Sequence, residues 1–244
     1  MNKQKCSIIT VCYNSKSTIR QTFDSVLHQT YQNIEYIVVD GGSTDGTLDL
    51  IKEYDSLFAG RMKWISEPDQ GIYDAMNKGI RMASGQLIGM INSDDFYETD
   101  AVEQMIETMS EQPYQILYGA IRMLHNGVEK SIGINSHLFL HERMIGHPAC
   151  FITKQLYEDL GVYDTQFVSA ADYDFMLRMI QDNRVVFTPV YKVIANFSIG
   201  GMSASSEAYY DLLKVRKKHK LISSSEYKKT VIKCKIYDFL HGQK

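Results

Sequence analysis

The stretch GQLIGMINSDDF, Gly85 to Phe96, decides how the rest of the chain is read. Its apolar run is too short for a helix and is bounded by polar residues, so it predicts a buried strand that surfaces at Asn92. Asp94 and Asp95 follow side by side. Adjacent carboxylates repel each other, so either a cation offsets them or they lie in a solvated turn. Three earlier segments of the same kind set the context. CSIITVCY (6–13) is too β-branched for a helix and too continuously apolar for a one-sided strand, and reads as a central parallel strand. IEYIVVD (34–40) and RMKWIS (61–66) are further strands. Between them, STIRQTFDSVLHQ (17–29) places Ile19, Phe23, Val26 and Leu27 at helical spacing with Ser17 as a cap; DGTLDLIKEY (45–54) and GIYDAMNKGIRMA (71–83) are helices. The alternation βαβαβαβ predicts an α/β fold, a doubly wound and mostly parallel sheet with ligands outside the carboxyl ends of its strands.

After Phe96 the alternation fades. YQILYGAIRMLHNGVEKSI (114–132) predicts two strands joined by a hairpin at Asn126-Gly127, and AADYDFMLRMIQ (170–181) returns to helical period with Phe175, Met176, Met179 and Ile180 inward. We expect a first half over about 1–98, a second half over about 99–204, and a helical, basic appendage over 205–244.

The bulk composition, 44% hydrophobic and 23% charged over 244 residues, is that of a folded soluble protein. The net charge of −3 conceals an asymmetry: Lys214 to Lys235 holds nine Lys or Arg against one acid, which leaves 17 basic and 28 acidic residues elsewhere. An acidic body argues against nucleic acid as a partner. Neither a signal peptide nor an apolar run of membrane-spanning length is present, so the expected location is cytoplasmic. Cys6, Cys12, Cys150 and Cys234 lack metal-site spacing and disulfide density, and read as buried free thiols.

The loops after the strands carry the chemistry. VCYNSKST (11–18) lacks the glycine pattern of a dinucleotide fold and offers Tyr13, suited to stacking on a flat base. VVDGGSTDGT (38–47) does not supply the ligands of an EF-hand calcium loop; Asp40 emerges where it can meet a ribose or base, and Asp45 reads as a helix cap. In SEPDQGIYDAMNKGI (66–80) a helix begins near Ile72, with Asp69, Asn77 and Lys78 as polar candidates for the cleft.

SIITVCYN, VVDGGSTDGT, SEPDQGIYDAMNKGI, INSDD and AADYDFMLR resemble, in order and spacing, the motifs of family 2 glycosyltransferases of the GT-A fold, the nucleotide-sugar enzymes of bacterial surface-polysaccharide assembly. The resemblance covers about residues 5 to 200. It implies that Val11 and Tyr13 pack on uracil, that Asp94 contacts ribose or sugar, that Asp95 ligates Mn²⁺ or Mg²⁺, and that Asp172 is the catalytic base of an inverting transfer. Two positions depart from the family. Asp40-Gly41 stands where many members have two aspartates, so the base contact falls to Asp40 or Asp69; Met76 replaces an arginine that meets the diphosphate, a task left to Lys78 or the metal. His147 is either an acceptor or phosphate contact or a structural histidine, and Gly200 and Gly201 form either a closing loop or a turn.

The tail, SSSEYKKTVIKCKIYDFL (223–240), opens with a capping box and mixes lysines with apolar residues. It either packs on protein or lies on an anionic membrane, where polyprenyl-linked acceptors reside. The expected activity is transfer of a hexose or N-acetylhexosamine from a UDP-sugar to a glycan or polyprenyl-linked glycan. The rivals are a non-catalytic nucleotide-sugar or glycan-binding module and a sugar-phosphate nucleotidyltransferase, which would need a glycine-rich basic first loop that this chain lacks.

Overall fold

The computed structural model describes residues 4–200 and 206–241. Nine strands form one sheet: β1 (Cys6–Cys12), β2 (Ile34–Asp40), β3 (Met62–Ser66), β4 (Leu87–Met90), β5 (Phe96–Tyr97), β6 (Gln115–His125), β7 (Val128–Gly133), β8 (Cys150–Thr153) and β9 (Val186–Ser198). Their order is β3-β2-β1-β4-β8-β6-β9-β5, with β7 on β6. β1 lies between β2 and β4 and is parallel to both, the central strand its composition demanded. β8 runs antiparallel to β4 and β6 and joins the regular first half to the second half.

Side chains alternate between the two faces of β1 and β2. Ile9, Val11, Ile37 and Val39 enter a core under α3 (Ile72–Met82), α5 (Lys154–Leu160) and α6 (Ala171–Met179). Ile8, Tyr36 and Val38 enter the opposite core under α1 (Ile19–Leu27), α2 (Thr47–Leu57) and α4 (Ala101–Thr108). Both faces are covered, which is why the strands read as unbroken apolar runs. α3 approaches β1 closely because residue 79 is glycine: a Cβ there would stand 2.5 Å from Ile9. Asn126 and Gly127 both take positive φ, 52° and 75°, the two-residue turn expected from that pair.

Two expectations are corrected. Ser17 does not cap α1; Thr18 is the cap residue, and it makes no side-chain cap bond. Ile180 lies beyond the end of α6 and is exposed, because the helix stops at Met179. The appendage expected from 205 opens with a helix that packs on the preceding domain. α7 (Ser206–Lys218) belongs to the body: Val215 enters the core, and Asp211 accepts the N–H groups of Val168 and Ser169. Asp174, fully buried, holds the end of α7 through Lys218 at 2.8 Å and His219 at 2.8 Å. α8 (Ser224–His241) extends beyond it, capped by Ser223 Oγ, which accepts the Glu226 N–H at 3.1 Å. Tyr227 lies under Lys217, and Tyr210 donates to Asp238, so α8 leans on α7. Cys6, Cys12 and Cys150 are buried free thiols, whereas Cys234 on α8 is only half-buried. Among the described residues no helix is long and apolar enough to cross a membrane.

Candidate active site

Because β1 to β4 are parallel, the loops that follow them emerge on one edge. Hydrogen bonds weld these loops together. Asn14 Oδ1 accepts from Thr44 N–H, and the Asn14 N–H donates to Ser43 Oγ. Asp45 accepts from the Lys16 and Thr47 N–H groups, so it secures both the first loop and the start of α2.

Asp40 was expected at the ligand and is placed otherwise. It is 0% exposed. Its Oδ2 accepts from Ser43 N–H at 3.0 Å and Ser66 Oγ at 2.6 Å, and its Oδ1 from the Ser43 hydroxyl and the Cys12 thiol. A carboxylate with both oxygens committed to its own chain is a loop anchor. Asp69, the other candidate, stands at the mouth. Around Gly41 three groups converge: a Cβ on that residue would lie 3.1 Å from Asp69 Oδ2 and 3.4 Å from the Tyr13 ring. Asp69 therefore fills the space of the side chain that Gly41 lacks, and Tyr13 beside it is 65% exposed. Val11 is buried beneath. Lys78, expected at the diphosphate, grips Asp69 at 2.6 Å and Glu67 at 2.9 Å, with Asp74 3.8 Å away. Its bond to Asp69 raises its pKa further, so it serves the aspartate as a fixed cation.

The acid pair is braced from both halves. Thr22 of α1 donates to the Asp95 carbonyl at 2.7 Å, Ser15 and Ser93 hydroxyls meet at 2.8 Å, and Ser198 at the end of β9 donates its N–H to Asp95 Oδ1 and its hydroxyl to the Asp94 carbonyl. Asp95 is 1% exposed, and among the described residues its Oδ2 receives no hydrogen bond. Burial, then the neighbouring Asp94, pushes its pKa up to about 8, and burial raises that of Asp94 as well. Ser198 escaped the sequence reading because its target lies 103 residues earlier; a serine ending a strand carries no such signal.

Asp172 sits in the first turn of α6, in the second half of the chain. Its Oδ1 accepts from Tyr73 OH and from the Tyr173 N–H, each at 2.9 Å. His147 Nε2 lies 3.0 Å from Tyr163 OH, and burial lowers its pKa against the opposing charge of Asp172, so it faces the tyrosine as a neutral ring. Asn77 grips the Tyr163 backbone through both N–H and C=O, a structural rather than a cleft position. Gly200 has a φ of 116° with open space around it, and Gly201 lies outside the described residues.

The loops at the parallel sheet edge thus carry an exposed aromatic beside a carboxylate, and a buried acid pair, while α6 of the second half begins with a further carboxylate, Asp172. Residues 7–160 match the sequence family described as Glycosyl transferase family 2, and the chain belongs to that family. It is 30% identical over 200 residues to a PGL/p-HBAD biosynthesis glycosyltransferase of Mycobacterium bovis, covering 81% of this chain and 78% of that one. An uncharacterized glycosyltransferase of Mycobacterium tuberculosis is 35% identical over 185 residues, 70% of this chain and 67% of the relative. Among solved structures, S. aureus TarS 1–349 in complex with UDP-GlcNAc superposes with a TM-score of 0.69 at 20% identity, over 90% of this chain and 67% of that one. The mannosyltransferase PcManGT of Pyrobaculum calidifontis, in complex with GDP-Man and Mn²⁺, gives 0.67 at 15% identity, over 92% and 66%. The chain spans 43% of a longer TarS chain. The fold is thus that of the GT-A glycosyltransferases.

Proposed function

We propose that the protein is an inverting, metal-dependent glycosyltransferase that moves a hexose or N-acetylhexosamine from a UDP-sugar to a glycan or lipid-linked glycan of the cell surface. The observation that carries this reading is Asp95 Oδ2, a buried carboxylate oxygen without a donor, with Asp94 beside it. Such an atom is costly to bury unless something cationic meets it. Among the described residues no group of three or more His, Cys, Asp or Glu is gathered for a metal, so the remaining ligands on this reading are diphosphate oxygens and water. Asp95, with Asp94 adjoining, would hold Mn²⁺ or Mg²⁺, whose charge offsets that of the leaving diphosphate.

Tyr13 offers its ring to the base, and Asp69, oriented by Lys78, accepts from a base N–H such as the uracil imide. The bound UDP-GlcNAc of TarS supports a uridine donor, whereas the GDP-Man of PcManGT marks the alternative base. Asp172 Oδ2, which takes no hydrogen bond from the described residues, receives the acceptor hydroxyl proton as the new C–O bond forms opposite the departing diphosphate. One displacement inverts the anomeric carbon. The body of this enzyme extends through α7, and α8 is the appended element. Its Ile232 and Ile236 are exposed among lysines, the face that would meet an anionic lipid surface near a lipid-linked acceptor.

Thermal shifts with UDP, GDP and UDP-sugars, with and without Mn²⁺, test the donor site without knowledge of the acceptor. UDP should stabilise the protein more with metal than without, and Asp95→Asn should abolish the metal-dependent part. Equal shifts in the variant, or none in either protein, would remove the metal reading; a preference for GDP would replace the base.

A further inference from the structure

We propose that Tyr73 is a positioning residue for the transfer, its phenol holding the Asp172 carboxylate in the orientation from which it takes the acceptor proton. The inference rests on Asp172 being the base. Tyr73 lies in the first turn of α3 and Asp172 in the first turn of α6, 99 residues apart in sequence, and the Tyr73 hydroxyl donates to Asp172 Oδ1 at 2.9 Å. The Tyr173 N–H donates to the same oxygen. Two donors on Oδ1 fix the plane of the carboxylate and leave Oδ2 free, the division of labour a general base needs.

The donor is itself immobile. Tyr73 is buried, its ring lies 5.5 Å from that of Tyr163, and α3 is locked to β1 by the close approach at Gly79 and to the 161–170 loop by the Asn77 clamp on Tyr163. Burial, with the charge of Asp172 adding to it, pushes the phenol far above the ordinary tyrosine range, so it remains a donor at every working pH.

The other groups facing Asp172 do not perform this task. His147 and Tyr163 are turned to each other, and Tyr163 also meets Tyr157 OH at 3.0 Å. Cys150 directs its thiol to the Gly146 carbonyl. Burial lowers the pKa of His147 and raises those of Cys150 and Tyr163, so none of the three carries charge at neutral pH. Among the described residues, Tyr73 is the side chain that bonds Asp172 directly. It comes from the helix whose leading loop carries Asp69 and whose second turn carries Lys78, so the aim of the base is set from the donor half.

Tyr73→Phe keeps the ring and removes the hydroxyl. We expect nucleotide release by water, measured with Mn²⁺ and the nucleotide-sugar hydrolysed fastest, to fall about tenfold or more in kcat with KM for the donor changed by less than about twofold. Removing a donor from a carboxylate disfavours its charged form, so the acid limb of the kcat profile should move up by about one pH unit. Independently of turnover, ¹³C-carboxyl labelling of aspartate, with the Asp172 resonance identified by its loss in Asp172→Asn, should show that resonance titrating at higher pH in Tyr73→Phe. If Tyr73→Phe does not fold, 3-fluorotyrosine at position 73, a stronger donor, should move the same resonance to lower pH. Unchanged titration of Asp172 overturns the inference, as does a wild-type kcat and pH profile in Tyr73→Phe. Wild-type turnover in Asp172→Asn instead overturns the base reading, and the positioning role falls with it.

Discussion

Asp40, Asp69 and Asp95 are chemically the same side chain, and the donors around each decide what it does. Asp40 is surrounded by Ser43, Ser66 and Cys12 and is spent on the loop; Asp69 has one cation, Lys78, and an oxygen beside Tyr13; Asp95 has an oxygen that receives no hydrogen bond from the described residues. Tyr13→Ala should therefore weaken nucleotide binding by about 1–2 kcal/mol, roughly tenfold in Kd, because a stacked base loses its platform. Its melting temperature should stay within about 2 °C of wild type, since an exposed ring contributes little to packing. Isothermal titration with UDP checks the first and calorimetry the second; an unchanged Kd would take Tyr13 out of the base site. For Asp95 the sign differs. Its pKa is raised to about 8 because burial penalises its charge, so at neutral pH without metal the folded protein must hold a proton there that the unfolded chain would release, a burden on the fold. Asp95→Asn should raise the melting temperature of the metal-free protein by a few degrees, about 1 kcal/mol, while losing the Mn²⁺-dependent nucleotide shift. A variant less stable than wild type under chelator would contradict this account. The sequence located all three acids at strand ends, since period alone fixes where a strand surfaces. It did not distinguish the anchor from the ligand contact, because Ser66 reaches Asp40 from another strand, 26 residues away.

The elements themselves were legible wherever period and length agreed. The first four strands, the three helices between them and the Asn126-Gly127 hairpin follow from alternation, helical spacing and turn chemistry, all of them local signals. The attachment of α7 was not legible. Its sequence is basic like that of α8, and composition alone put both in one appendage. What separates them is a buried carboxylate, Asp174, that neutralises Lys218 and meets His219, 45 residues away. Removing Asp174 leaves the buried His219 without its carboxylate partner and Lys218 with Asp164 alone, so Asp174→Ala should cost about 2–3 kcal/mol in urea unfolding. Truncation after Ser223, which removes α8, should cost less than about 1 kcal/mol, because α8 is tied through half-exposed contacts such as Tyr227 on Lys217. Equal losses from the two changes would return α7 and α8 to a single appendage.

At the scale of the molecule, two buried carboxylates stand at opposite ends of β2 and hold the parallel sheet between them. Asp40 ties β1, β2 and β3 at the edge where the site opens. Glu35 does the same at the far edge with four hydrogen bonds from three neighbours: Ser7 of β1 donates to it at 2.8 Å, Lys63 of β3 at 2.7 Å, and Ser84 before β4 through both its N–H and its hydroxyl at 2.8 Å. Burial alone would raise the pKa of Glu35; the Lys63 bond, the Ser84 N–H and the Ser7 and Ser84 hydroxyls outweigh it and bring the pKa down to about 2 from 4.5. A carboxylate depressed in the folded state contributes stability that is fully present above 4.5 and is lost as the pH falls through about 2. Glu35→Gln should accordingly cost about 2–3 kcal/mol at pH 7, a gap that narrows below pH 4.5 and closes near pH 2. Urea unfolding of both proteins across that range reads the gap directly. A cost that stays constant with pH would mean that Glu35 acts through shape and hydrogen-bond count rather than charge, and that the acid sensitivity of the sheet lies elsewhere.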